Sequence, residues 1–117
     1  FGMDISPVLQ KIGNHIGEYI FSQLKHNDLD TFTKNISQYW LKNNLGELSF
    51  KIDNNIEITC LDCFESKDSP IIGKPSCSLE KGMLEKLFNM YFNFDLNIDE
   101  IMCYSMGDGK CVYQLQP

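Results

Sequence analysis

The stretch Glu-Ile-Met-Cys-Tyr-Ser-Met-Gly-Asp-Gly-Lys-Cys, residues 100–111, decides the fold of the last third of the chain. Cys103 and Cys111 flank Met106-Gly107-Asp108-Gly109, a strong turn signal. With Gly107 near the apex, the two cysteines stand opposite each other. Facing residues of a hairpin have Cβ atoms about 4.5–5.5 Å apart. That separation suits two sulfurs on one metal ion, and it equally suits a disulfide.

Outward from this hairpin the chain falls into regular elements. The hairpin itself covers residues 96–105 and 110–115. A helix is expected after Cys77, over residues 78–92, with Leu84, Leu87, Phe88 and Tyr91 inward. Before it, residues 65–76 form a polar loop holding Pro70, Gly73 and Pro75. Further upstream, Leu48, Phe50 and Ile52 alternate as a strand. Asn54-Asn55 makes a turn, and Ile56, Ile58 and Cys60 alternate as a second strand. A helix from Asp28 or Asp30 to about Asn44 buries Leu29, Phe32, Ile36 and Tyr39/Trp40, and Gly46 stops it. The first helix starts at Ser6, with Pro7 as its first helical residue and Leu9, Ile12, Ile16, Tyr19/Ile20 and Leu24 on its inner face. Gly13 and Gly17, four apart, each cost about 1 kcal/mol against Ala in a helix. Their pairing implies another backbone packed closely there. The order helix, helix, strand, strand, helix, strand, strand (ααββαββ) gives an α+β fold. About four antiparallel strands pack with about three helices.

The 117 residues fit one domain, which buries roughly two-thirds of its unfolded surface. With 43% hydrophobic and 22% charged residues the composition is that of a globular chain. No apolar run approaches the roughly 20 residues needed to cross a bilayer. Asp4, Lys11, Glu18 and Lys25 interrupt residues 1–25, against a signal peptide. The first residue is Phe1 rather than Met, as expected of a piece of a longer chain. A net charge of −6 and the lack of any arginine argue against nucleic-acid binding by this segment. Five cysteines, an odd number, argue against a secreted disulfide scaffold and for a reducing cytoplasm.

Cys77, Glu100, Cys103 and Cys111 supply three thiols and a carboxylate, which satisfy a four-coordinate zinc site with no place left for a catalytic water. Cys77 lies just before a helix, where the dipole favours a thiolate. Glu100 and Cys103 have opposite parity on an ideal strand, so both reach one ion only if the strand bulges between them. The one C-x-x-C, Cys60 to Cys63, starts on a strand rather than at a helix start, which argues against thioredoxin-like chemistry. Cys60 is expected as a small core residue beside Ile56 and Ile58. His15 and His26 are expected as ordinary surface or partly buried side chains.

Asp62-Cys63-Phe64-Glu65, then Pro75-Ser76-Cys77 with Gly82, then Glu100-x-x-Cys103-x-x-x-Gly107-x-x-x-Cys111 resembles the 4-vinyl-reductase-type (hydrocarbon-binding) domain family. That family is related in fold to small subunits of the TRAPP vesicle-tethering complex. The resemblance covers residues 62–111 and implies a structural zinc ion on Cys77, Glu100, Cys103 and Cys111. It also implies a pocket for a small apolar molecule between helices and sheet. Here Ile58 and Cys60 stand where phenol-sensing members carry aromatic side chains. The expected pocket is lined by Trp40, Ile58, Cys60, Phe88, Tyr91 and Ile98.

The function expected from these readings is a cytoplasmic, zinc-stabilised sensor or carrier domain for a small hydrophobic ligand, with a role in transcription regulation. It would form a homodimer, with Gly13 and Gly17 allowing close packing of first helices. The alternatives are a thiol-based redox switch built on Cys103 and Cys111, and a protein associated with tetrapyrrole vinyl reduction. Enzymatic activity is disfavoured: there is no nucleotide-binding glycine loop and no nucleophile-base pair.

Overall fold

In the computed structural model, which describes residues 4–117, the elements run α1 (Ser6–Gln23), α2 (Leu29–Lys42), β1 (Glu47–Ile52), β2 (Ile56–Leu61), α3 (Ser78–Phe92), β3 (Asn97–Met102) and β4 (Cys111–Gln116). This is the α+β order read from the sequence. The four strands form one antiparallel sheet in the order β1-β2-β4-β3. Ile56, Ile58 and Cys60 on β2, Ile98 on β3, and Cys111, Tyr113 and Leu115 on β4 are buried. They join Phe32, Ile36 and Trp40 of α2 and Leu84, Leu87 and Phe88 of α3 in one core cluster. Asp28 caps α2, its Oδ1 accepting the Thr31 N–H at 2.7 Å. The left-handed turn after α2 is taken by Asn44 at φ 57°, not by Gly46. Gly46 has φ 138°, and a Cβ there would lie 2.7 Å from Cys60 Sγ. Its bareness makes room for that sulfur.

The inner face of α1 differs from the expected one. Ile12, Ile16 and Tyr19 are exposed, and Gly13, Gly17 and Ile20 are buried. The helix turns its glycines to α3. A Cβ on Gly13 would collide with Leu79 O, one on Gly17 would lie 2.6 Å from Met83 O, and one on Gly82 of α3 would collide with Gln10 O. The two backbones touch, as the glycine pair implied, but the partner is α3 of the same chain. That closes the expected route to a dimer through Gly13 and Gly17. Asn14 Nδ2 seals the seam by donating to Gly82 O at 2.7 Å and Glu85 Oε1 at 3.0 Å. The exposed stripe left on α1 comprises Val8, Ile12, Ile16 and Tyr19, extended by Ile5 just before the helix. No helix among the described residues is long and apolar enough to cross a membrane.

Candidate metal centre

Four chain segments meet at one end of the sheet: the end of β2, the start of α3, the end of β3 and the start of β4. Each delivers a cysteine, and all five cysteines are free and fully buried. Cys60 faces Cys111 across the β2–β4 ladder. Cys103 sits one residue past β3, where a short 3-10 turn over residues 104–106 leads to Gly107 at φ 91°. Asp108 fixes this loop, its Oδ2 accepting the Cys103 N–H at 3.1 Å while its own N–H donates to Cys103 O at 3.2 Å. The loop before α3 is tied to the hairpin through Ile72 and Gly73, whose N–H groups both donate to Ser105 O.

Cys77 is the hub. Its Sγ lies 3.4 Å from Cys103 Sγ, 3.4 Å from Cys111 Sγ and 3.7 Å from Cys63 Sγ. Glu100 Oε2 accepts the Cys77 N–H at 3.2 Å. Two overlapping triads share Cys77, namely Cys77 with Glu100 and Cys103, and Cys77 with Cys63 and Cys111. Within each triad the ligand atoms lie within 4.8 Å of one another. Sulfurs about 2.3 Å from a zinc ion at tetrahedral angles stand about 3.8 Å apart. The donor types and the sulfur spacings around Cys77 therefore fit a thiophilic divalent cation, which would hold the β3–β4 hairpin to the head of α3. Glu100 and Cys103 share one side because the β3–β4 register slips between Glu100 and Met102. Ile101 is the extra residue of a bulge, the irregularity that the parity conflict required.

Cys63 joins the cluster by a different device. Asp62, at φ 52°, breaks the strand just past β2 and turns Cys63 inward. The Asp62 N–H donates to the Tyr104 hydroxyl at 3.0 Å. Ser66, also fully buried, accepts from Cys77 Sγ at 2.9 Å and lies 3.1 Å from Cys111 Sγ. Neither Cys63 nor Ser66 was among the ligands expected from the sequence, although the C-x-x-C of Cys60 and Cys63 was a visible signal. The thiols of Cys111, Cys60 and Cys77 all turn toward Cys63 and hold it below the ordinary thiol range. Proton sharing with the neighbouring sulfurs keeps Cys77 and Cys60 above it.

Two further carboxylates stand behind the sulfurs. Glu65 receives the N–H groups of Leu79 and Glu80 at the head of α3, both at 3.0 Å. Burial still pushes its carboxyl up to about 7. Glu80 is fully buried. Burial first, and then the charge of Cys63, push its carboxyl up to about 8. Its sequence signal was its place on the apolar stripe of α3, one turn before Leu84. Of the expected pocket residues, Trp40, Ile58, Cys60 and Phe88 are fully buried, Ile98 nearly so and Tyr91 half-buried. Trp40 and Cys60 converge on Glu80, while Phe88 and Tyr91 both pack on the Phe32 ring, with centroids at 5.6 and 4.7 Å. An apolar groove of about 290 Å³ opens at the other end of the sheet, between Ile52, Ile56, Phe92, Phe94, Leu96 and Leu115.

Comparison with known proteins places these features. An uncharacterised protein of Methanocaldococcus jannaschii is 29% identical over 83 residues, covering 71% of this chain and 52% of the relative. The chain thus spans about half the length of that curated relative. The phenol-responsive sensory domain of the transcription activator PoxR, with phenol, superposes with a TM-score of 0.72 at 13% identity, covering 96% of this chain and 64% of that one. Subunit 3 of the trafficking protein particle complex of Naegleria fowleri, covalently bound to palmitic acid, gives a TM-score of 0.67 at 15% identity, covering 96% and 79%. These two likenesses show a shared fold, the likeness in fold to TRAPP subunits that was expected among them. The vinyl-4-reductase (V-4-R) domain family matches residues 56–117, the segment from β2 to the end of β4 that carries every cysteine. With more than half its length matched, the chain belongs to the vinyl-4-reductase domain family, the type that its cysteine and glycine spacing resembles.

Proposed function

We propose that this chain is a zinc-stabilised sensor or carrier domain that takes a small hydrophobic ligand and acts in regulation, in the cytoplasm. Cys77, Glu100, Cys103 and Cys111 hold the zinc, and four protein ligands make it structural. The observation that carries the reading is the meeting of three segments at Cys77, with sulfur spacings of 3.4 Å to Cys103 and to Cys111. The ligand sits against Trp40, Ile58, Cys60, Phe88, Tyr91 and Ile98. It enters by the groove whose wall residue Phe92 stacks on Phe88, with ring centroids 6.4 Å apart. The phenol and the palmitic acid held by the two structural relatives support an apolar guest. Signalling follows if the guest has different affinity for two arrangements of the helices over the sheet. Five free buried thiols suit a reducing compartment. A homodimer belongs to this reading, with the exposed stripe Val8, Ile12, Ile16 and Tyr19 of α1, extended by Ile5, as the shared face.

Native mass spectrometry of the freshly purified chain tests all three parts. One zinc per chain, a co-purified small molecule and two chains per particle are expected. Metal-free protein that remains well folded sinks the zinc. No co-purified mass, together with no change of Trp40 emission on adding phenol or palmitate, sinks the ligand. Cys103→Ser and Cys111→Ser are expected to lose zinc and stability, and Glu100→Gln to lose less, since an amide coordinates feebly.

A thiol switch, expected on Cys103 and Cys111, is the second reading; each of those sulfurs lies 3.4 Å from Cys77 Sγ, which makes Cys77 a disulfide partner for either. Peroxide would take two hydrogens from a cysteine pair, leaving a disulfide and two waters, with zinc released. The full burial of the sulfurs weighs against it, and an unchanged mass after mild peroxide excludes it.

A further inference from the structure

Glu80 carries a buried carboxyl group that meets no cationic side chain among the described residues. Its side chain is fully buried on the core side of α3. Oε1 accepts the Tyr113 hydroxyl at 2.6 Å and lies 3.3 Å from Cys63 Sγ. Oε2 accepts the Trp40 Nε1–H at 2.9 Å and lies 3.5 Å from Cys60 Sγ. No lysine or histidine is among these contacts. Both oxygens are satisfied by four donors, the Tyr113 hydroxyl, the Trp40 N–H and the Cys60 and Cys63 thiols, and a cation would take the place of the two thiol protons. Two thiols of a C-x-x-C and this carboxylate bring their ligand atoms within 4.8 Å of one another. Soft sulfur with one hard oxygen is a donor set for zinc or cobalt(II).

We propose that Cys60, Cys63 and Glu80 form a second cation site, distinct from the one on Cys77, Glu100, Cys103 and Cys111. Trp40 and Tyr113 aim the carboxylate, the supporting role that outer hydrogen bonds play at metal sites. Gly46 clears the space behind Cys60 Sγ. Asp62, at φ 52°, turns Cys63 inward. Cys63 Sγ is 3.7 Å from Cys77 Sγ, so a single sulfur stands between the two sites. The second site does not require the first to be filled.

The test is a titration of the reduced, chelator-stripped whole chain with cobalt(II), followed by sulfur-to-cobalt absorption and by the emission of Trp40, the chain's only tryptophan. Native mass spectrometry with zinc counts the ions. The unaltered chain is expected to take two cations, with Trp40 emission changing as the second site fills. Cys60→Ser is expected to take one, and Cys103→Ser to keep one that Cys60→Ser then removes. Serine keeps a donor beside Glu80, so Cys60→Ser retains the fold, and Glu80→Gln provides an independent variant. Saturation at a single cation that Cys60→Ser leaves in place overturns the proposal. A single cation that Cys60→Ser abolishes and Cys103→Ser spares keeps this site and removes the one proposed above.

Discussion

Asp62 and Ile101 each break a strand's alternation by one residue, and each break carries a ligand atom to the sulfur cluster. Asp62 does so through a left-handed backbone, at φ 52°. Such a conformation costs a β-branched residue about 1–2 kcal/mol and costs glycine nothing. Asp62 is exposed, so substitution there buries nothing new. Asp62→Val is expected to lower stability by about 1–2 kcal/mol and to weaken cation binding, whereas Asp62→Gly leaves both intact. Chemical denaturation with a metal count checks this, and an inert Asp62→Val would mean that Cys63 does not need the turn. The parity conflict between Glu100 and Cys103 was legible in the sequence, and the bulge at Ile101 resolves it. The turn at Asp62 was not legible, because aspartate carries no signal as plain as glycine's for positive φ. At Asp28 the Thr31 N–H holds the carboxyl below its ordinary value. A depressed folded value means that the cap's contribution is complete above the unfolded value near 3.9 and is lost as pH falls through the folded one. Asp28→Ala is therefore expected to lower the melting temperature by a few degrees at pH 7, with the two proteins converging in acid. A difference that persists below pH 2 would assign the loss to something other than the charge.

Among elements, the α1–α3 seam is the one the apolar pattern misassigned. Hydropathy counts Ile12, Ile16 and Tyr19 and gives glycine no weight, so the stripe of large residues was read as the inner face. Backbone contact across Gly13, Gly17 and Gly82 won instead, since no side chain of those three residues holds the helices apart. α2 and β2 followed their periods. α2 buries Phe32, Ile36 and Trp40, and β2 buries Ile56, Ile58 and Cys60, because a period of 3.6 or of 2 has one core to face there. In Gly82→Ala a Cβ would collide with Gln10 O, which is backbone and cannot swing away. The helices must part, and a cost of about 1–3 kcal/mol or more is expected, outweighing alanine's gain of about 1 kcal/mol in helix propensity. A melting temperature equal to or above that of the unaltered chain in Gly82→Ala would show that the seam is looser than the structure gives.

Across the whole molecule, the sulfur cluster and the apolar groove lie at opposite ends of the same strands. β4 begins at Cys111 and ends beside Leu115 and Pro117 of the groove, and α3 runs from Ser78, next to Cys77, to Phe92. The cluster and the groove lining share β2, α3, β3 and β4 but no side chain, although Trp40 and Cys60 of the proposed guest site reach Glu80 beside the sulfurs, so changes at the two ends are expected to be close to additive only where those two residues are untouched. Phe94 lines the groove and is half exposed, so Phe94→Glu places a charge in the groove without burying it in the core. That variant is expected to weaken the response of Trp40 emission to palmitate severalfold while the cation count stays unchanged. Chelation is expected to do more. It removes a link joining Cys77 to residues 26 and 34 positions further along the chain. Structural zinc contributes apparent binding energies on the order of 10 kcal/mol, so the melting temperature should fall by more than about 10 °C. Joint loss of palmitate response and cations in Phe94→Glu would mean that guest and cation are read by one cooperative unit. Separate losses would leave α3 and the two strands as a rigid frame, with its clamp at one end and its guest at the other.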